Sequence, residues 1–431
     1  MNKEILKLAL PNIISNLSVP LLSIVDVALM GHLESAHFIL AVGFGTSLFN
    51  FLYWGFGFLR MGTTGLTAQA YGNKNRPETF YLFFRASLIA ITIGLILILC
   101  RSYLLQLGLP LFDTSPEVEA SLVAYYNVRI YAAPATLMGY VIIGWFLGMQ
   151  DAKIPMILTI LVNTVNISGS FYFVKYAGMK ADGVALGTVL AQYTGLVCGG
   201  LFLLWKHRSV SAHFDWEKII HWPAIKSFLQ INLDIIIRTL CLIFTLTYFK
   251  IQSGNMGVTV GAANIVLLEF FTIAAYGIDG FAFAAESITG KYFGAGKYNK
   301  LKMSIKLCFL WGIGIGLLFT GIFYASGTDI LRMITNQEPV YLMAQDYLVW
   351  MIFSPVLMVI PFIWDGVYIG LTASKAMRNS MLIATVLCYL PAQFVLSNYY
   401  HNHGLWLALM IFFLARGITQ TILAKSFIPP K

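Results

Sequence analysis

A carboxylate inside an apolar stretch is costly in a membrane and ordinarily faces a cavity or a partner. Asp26 stands in such a stretch, PNIISNLSVPLLSIVDVALMGH. Asn12, Asn16, Ser23 and Asp26 share one helical face, reached through Val19 by steps of three and four. Thr159, Asn163, Asn166 and Ser170 repeat the stripe further on, and Thr188 and Gln192 continue it. One acid among amides and hydroxyls suits a shared hydrated cavity where a single group takes up and releases a proton, because burial raises a carboxyl pKa. The plain alternative is that these Ser, Thr and Asn residues only hydrogen-bond helices together. That alternative weighs less for Asp26, since a carboxylate costs far more than an amide.

The second half of the chain is richer in charge. Glu269, Thr272, Tyr276, Asp279, Phe283 and Glu286 again follow steps of three and four. Asp234 and Arg238 stand at i and i+4, a spacing that allows them to pair within one helix. Asp365 and Arg416 lie in later apolar runs. Attraction of a ligand and a charge network that only holds this half together are both open readings. Asp279, Glu286, Asp365, Glu269 and Tyr276 are the candidates for lining a substrate cleft. Arg60, near the basic end of its run, reads as structural.

These residues need long helices to carry them. Of 431 residues 58% are hydrophobic and 11% charged, against about 25% charged in a soluble chain. A span takes roughly 20 apolar residues, so the composition has room for about a dozen. Disorder and a soluble enzyme on one anchor are excluded, and long apolar runs disfavour a barrel. Twelve helices are expected, centred near residues 18, 50, 92, 133, 164, 193, 240, 272, 312, 354, 386 and 414. The opening MNKEILKLALPN continues past Pro11 and Pro20 without a small-residue cleavage site, so it reads as the first permanent helix.

The connections alternate in charge. One set holds nineteen Lys and Arg, the other only six: Arg101, Arg129, Lys175, Lys180, Lys250 and Arg332. By the positive-inside rule both termini face the cytoplasm, which requires an even number of helices. The net charge of +9 follows from this bias and gives no reason to expect nucleic-acid binding. The longest polar break, near 206–226, falls at the midpoint. GMQDAK at 148–153 and GLTASK at 370–375 follow helices containing Pro134 and Pro355, and AYGNKN at 70–75 and YFGAGK at 292–297 lie at the same offset. An offset of about 222 residues implies two six-helix halves in the same orientation, related by an axis along the membrane normal. The expected lobes are 1–207 and 224–431, joined by a cytoplasmic linker at 208–223.

Enzyme chemistry finds no support. There is no HExxH and no P-loop, and the glycines at 312, 314 and 316 sit in an apolar run without a preceding strand. The five cysteines, Cys100, Cys198, Cys241, Cys308 and Cys388, lie in apolar runs without metal-ligand spacing. No cofactor and no resident metal is expected.

The run LALPNIISNLSVPLLSIVDVALMGHL followed by FLRMGTTGLTAQAYG resembles the multidrug and toxic compound extrusion transporters, in the DinF branch. GWFLGMQ at 144–150, YGIDGFAFAAES at 276–287, DGVYIG at 365–370 and MRNSM at 377–381 agree, and the resemblance covers nearly the whole chain. It implies an all-α polytopic membrane protein of twelve helices in two pseudo-twofold-related six-helix lobes around a central cleft. It also implies export of small organic, often cationic, compounds driven by inward H⁺ or Na⁺. The family's coupling carboxylate matches Asp26, its polar neighbours match Asn166 and Thr188, and its bending proline matches Pro11. A second acid often stands where this chain has Ser170, and Glu269 is a further departure. An acid that the related NorM branch carries in the seventh helix has no evident counterpart, with Arg238 nearby.

Together these readings give a multi-pass antiporter of the bacterial inner membrane, expected as a monomer. The coupling residues are Asp26, Asn163, Asn166, Ser170 and Thr188, with bends at Pro11 and Pro20. A proton is the expected coupling ion and a weak Na⁺ at Asp26 the second choice. A lipid or lipid-linked oligosaccharide flippase is the alternative within transport, and a membrane-embedded enzyme is the remote one.

Overall fold

The computed structural model describes residues 1–31, 37–112, 115–207 and 215–428; for 19–31, and for Leu111, the backbone alone is described. All regular structure among the described residues is helical. Among the described residues twelve long helices follow in order, with short ones at Arg101–Gly108 and Trp216–Ile219 between them, and each long one contains a centre expected from hydropathy. They are α1 (Asn2–Gly31), α2 (His37–Gly72), α3 (Arg76–Leu99), α4 (Pro116–Gly148), α5 (Lys153–Lys175) and α6 (Ala181–Lys206). The second half comprises α7 (Trp222–Asn255), α8 (Val258–Gly294), α9 (Tyr298–Ile334), α10 (Glu338–Gly370), α11 (374–400) and α12 (402–424). His401, at φ 49 and ψ −126, breaks the chain between the last two. From α2 onward ten helical stretches are long and apolar enough to cross a membrane, α11 and α12 counting together as one, 374–424.

Local chemistry sets the helix ends. Asn75 Oδ1 accepts from the Glu78 backbone N–H at 3.2 Å, and Pro77 and Glu78 fill the first turn of α3. Asp151 caps α5 in the same way, accepting from the N–H groups of Lys153 and Ile154. Prolines mark the irregular places. α4 passes through a 3₁₀ turn at Ile130–Ala132 just before Pro134, and α10 holds Pro355 and Pro361 in its interior. α1 stays helical through Pro11, although proline removes a backbone donor there.

The repeat is written in the backbone. Lys74 and Gly296 both adopt positive φ, as do Gln150 and Thr372, each pair 222 residues apart; Gly178 and His401 form a third pair, 223 apart. Helix contacts repeat as well. A Cβ on Gly144 would lie 2.5 Å from the carbonyl oxygen of Arg60, and one on Gly366 would lie 2.1 Å from that of Ala282. Both glycines and both carbonyls are 222 residues apart. So α4 meets α2 as α10 meets α8, by the small-residue contact that lets membrane helices approach closely.

The chain divides into two compact units, Ile14–Phe228 and Met1–Ile13 with Leu229–Lys431. The expected lobe at 1–207 therefore differs at its start. The first turns of α1 belong with the C-terminal half because their polar groups find partners there. Glu4 receives Lys291 Nζ and the Tyr292 hydroxyl, both at 2.9 Å, and Asn2 receives Trp311 Nε1 at 3.3 Å. Ala9 and Ile13 lie against Gly280, which has no side chain to hold them off. At the other boundary, the expected linker at 208–223 contains one helical turn, Trp216–Ile219, and residues 222–228 of α7 go with the N-terminal unit.

Candidate functional site

In the N-terminal unit α5 and α6 bring three of the expected residues together. Asn166 Nδ2 donates to Thr188 Oγ1 at 3.0 Å, and Ser170 Oγ donates to Asn166 Oδ1 at 3.4 Å. All three are buried, Ser170 completely. The contact depends on small residues: a Cβ on Gly187 would fall 2.6 Å from Ser170 N and Oγ, and one on Gly169 would meet the Gly187 Cα. Thr188 Oγ1 also donates to the Val184 carbonyl at 3.2 Å. One turn earlier, Asn163 reaches α1, donating from Nδ2 to Ser18 Oγ at 2.9 Å. Asn12 instead turns to its own helix, donating to the Leu8 carbonyl at 2.8 Å.

This cluster is neutral. The other described acids of the N-terminal unit sit at helix ends or in connections, where Glu78 pairs with Arg85 and Asp151 with Lys206. Among the described residues of this half, Asp26 is the one acid placed deep within a helix, five residues before the end of α1. Its side chain, like those of Pro20 and Ser23, lies outside the described residues.

The C-terminal unit is built on charge. Asp365 of α10 receives Nη2 of Arg238 from α7 and Nη2 of Arg416 from α12, and its Oδ1 accepts from Gln420 Nε2 at 2.6 Å. Arg416 is fully buried, stacks near Phe362, and leaves Nε and Nη1 without a hydrogen-bond partner among the described residues. A carboxylate held by two guanidinium groups is already neutralised, so Asp365 offers little to an incoming cation. The i, i+4 pair does not form as its spacing allows. Asp234 accepts from Arg378 Nη1 at 2.6 Å and from Ser374 Oγ at 2.8 Å, while Arg238 reaches across to Asp365.

The α8 stripe is spread out. Glu269 is exposed, Tyr276 and Asp279 are half-buried, and Glu286 is buried. Seventeen residues separate Glu269 from Glu286, about 25 Å of helix, so these groups form a stripe and not one pocket.

Sequence reading missed a second buried cluster. Asn264 donates from Nδ2 to Ser253 Oγ and Asn402 Oδ1, both at 2.6 Å, and its Oδ1 accepts from Trp406 Nε1 at 2.8 Å. It ties the turn after α7, where Gly257 has φ 123, to the break at His401. Ser253 and Asn264 stand alone on α7 and α8, and only Asn402 and Trp406 share a face, at i and i+4 on α12, which is too little to mark a stripe. Among the described residues no three His, Cys, Asp or Glu side chains gather as metal ligands.

Twelve helices in two repeats, with ionisable and amide groups in helix interiors, define a polytopic membrane transporter. Residues 11–172 and 235–395 each match the MatE family model, so the match itself falls into two halves. The chain is 35% identical to DNA damage-inducible protein F of Escherichia coli, over 97% of this chain and 91% of that protein. It is 24% identical to human multidrug and toxin extrusion protein 1, over 79% of this chain and 61% of that one. Among solved structures, the Vibrio cholerae MATE transporter VcmN in its bent form superposes with a TM-score of 0.87. That match covers 99% of this chain and 97% of VcmN at 18% identity, a likeness of fold. The chain belongs to the MatE family of multidrug and toxin extrusion transporters and is not an enzyme.

Proposed function

We propose that this protein exports organic cations by exchange for protons, with Asp26 as the single coupling acid. The observation that carries the reading is the neutral cluster of Asn166, Ser170 and Thr188 on α5 and α6. A bare Na⁺ at membrane depth wants several oxygens and more than one source of negative charge. Here the amide and hydroxyls add oxygens but no charge, whereas a proton needs one carboxylate alone. Ser170 stands where a second acid is common, which supports one titrating acid over a carboxylate pair with two coupled steps. Proton and substrate drive one another when they favour opposite-facing states, because equal affinity for both would shift nothing. Pro11, with its missing backbone donor, is the point at which α1 bends as the two states exchange. The positive-inside bias, nineteen basic residues against six, supports cytoplasmic termini in a bacterial inner membrane, and the protein works as a monomer.

The test is ethidium transport in proteoliposomes under a pH gradient or a Na⁺ gradient imposed separately. Transport should follow the pH gradient, and Ser170→Asp should add a response to Na⁺. Strong Na⁺-driven transport by the unmodified protein at fixed pH, abolished by Asp26→Asn, would overturn the single-charge reading.

A further inference from the structure

In the third turn of α3, Arg85 does something its position does not require. It is 5% exposed, and two of its three nitrogens donate to the chain that links the two halves. Nε donates to the Ile219 carbonyl at 3.2 Å, Nη2 to the Lys218 carbonyl at 2.7 Å, and Nη1 to Glu78 Oε1 at 2.6 Å. Asp215 Oδ1 caps the same helical turn, accepting from the N–H groups of Glu217 and Lys218. The turn Trp216–Ile219 is thus fixed over α3 and is not a free tether.

Fixing the turn builds a cavity. Glu78, Tyr81, Arg85, Glu217, Lys218 and His221 line an open depression of about 370 Å³, at the small end of ligand clefts, roughly 300–1,000 Å³. Arg85 is committed to its carbonyls and to Glu78. The groups left to meet a ligand are the Glu217 carboxylate, the second oxygen of Glu78, the Lys218 ammonium and the His221 ring, with Tyr81 beneath Lys218. Lys218 is shared with Asp215 at 3.4 Å. A plain anion would meet two carboxylates here, and a plain cation would meet Arg85 and Lys218. A zwitterion satisfies both signs. Around the cavity Trp216, Ile220 and Trp222 are 58%, 53% and 67% exposed, and Lys226 follows one turn later. Exposed tryptophans beside lysines at the ends of spans sit at the level of lipid headgroups.

We propose that this cavity is a headgroup site for a membrane phospholipid bearing a primary ammonium and a phosphate, the phosphatidylethanolamine class. Glu217 and the outer face of Glu78 accept from the ammonium, Lys218 and His221 donate to the phosphate, and the acyl chains lie along Trp216, Ile220 and Trp222. A trimethylated ammonium has no N–H to give the carboxylates, so phosphatidylcholine fits less well. The bound lipid staples the linker turn and the first turns of α7 to α3.

The test is native mass spectrometry of the full chain in detergent with dioleoyl phosphatidylethanolamine, phosphatidylcholine or phosphatidylglycerol added at equal concentration. Phosphatidylethanolamine should be retained several-fold more than either of the others, and soluble phosphoethanolamine should displace it. Glu217→Gln and Lys218→Gln, both on the surface, should each remove the preference without lowering the melting temperature. Equal retention of phosphatidylethanolamine and phosphatidylcholine would overturn the proposal. So would a preference for phosphatidylglycerol, which would mark a site for anions alone. Lipid that phosphoethanolamine fails to displace would place binding on the acyl chains, against a headgroup site.

Discussion

The two halves share a backbone and divide the chemistry. Where the N-terminal half has Ile143, next to Gly144, the C-terminal half has Asp365, next to Gly366, and holds it with Arg238 and Arg416. The N-terminal half gathers the amide and hydroxyls of Asn166, Ser170 and Thr188 instead. Thr64 and Glu286 stand at equivalent places beside the paired glycines Gly148 and Gly370. The difference bears on which half can change state. An amide–hydroxyl contact is worth about 1 kcal/mol net and is readily exchanged for water. Two guanidinium groups on one buried carboxylate are not readily separated, because each ion would be left alone in an apolar place. Coupling chemistry therefore fits the N-terminal half and rigidity the C-terminal half.

The sharpest way to break this division is at Asp365. Asp365→Asn keeps the shape but leaves Arg238 and Arg416 without their shared counter-ion. Removing one member of a buried ionic cluster costs about 3–5 kcal/mol. The variant should melt well below the wild type and express poorly. A variant that melts normally but loses substrate binding would instead put Asp365 in the cleft.

The shared backbone predicts matched losses. In Gly144→Ala and Gly366→Ala the new methyl meets a carbonyl oxygen, at 2.5 Å and 2.1 Å before any shift. Overpacking of this kind costs about 1–3 kcal/mol. Melting temperatures should fall by comparable amounts, and a fall in one variant only would show that the two contacts do different work.

Pro11→Ala restores a backbone donor to α1 and removes a ring clash. Ethidium binding should persist while turnover falls several-fold, and distance measurements across α1 should report a straighter helix. An unchanged bend with unchanged turnover would remove Pro11 from the mechanism.

The smallest expected effect is at His207, just beyond α6. Burial holds its pKa below the ordinary 6.5, Lys206 and Arg76 lower it further, and Asp151 pulls the other way. Its ring packs against Trp145, Phe80 and Phe146. The unfolded chain thus takes up the proton first, so the stability the neutral ring contributes is present above about pH 6.5. It is lost as pH falls from there towards the lowered folded value. Between pH 7.5 and 5.5 the wild type should lose slightly more melting temperature than His207→Gln; an equal loss would show that the ring does not titrate in this window.

Twelve helices and the repeat were legible because both are periodic: hydropathy recurs within the helices, and GMQDAK and GLTASK recur between the halves. Asn166, Ser170 and Thr188 were legible as stripes, since faces of neighbouring helices that are polar inside a membrane tend to meet. The partner of Asp234 was not. Spacing shows which residues share a face, but Arg378 and Ser374 approach from another helix and outcompete Arg238. The grouping of residues 1–13 with the second half was hidden for the same reason, because Glu4 and Lys291 lie 287 residues apart. Arg85 gave no warning either, since its partners on the linker are backbone carbonyls and carry no side-chain signature.

The most direct test of a single coupling acid in the N-terminal half is a count of protons. Ethidium added to the purified protein in weak buffer should release about one proton for each molecule bound, along a titration curve with one step. Asp26→Asn should bind without release, and Na⁺ at fixed pH should change neither result. Release that persists in Asp26→Asn, or a curve with two steps in the wild type, would contradict a one-acid site and return the coupling to the charged half.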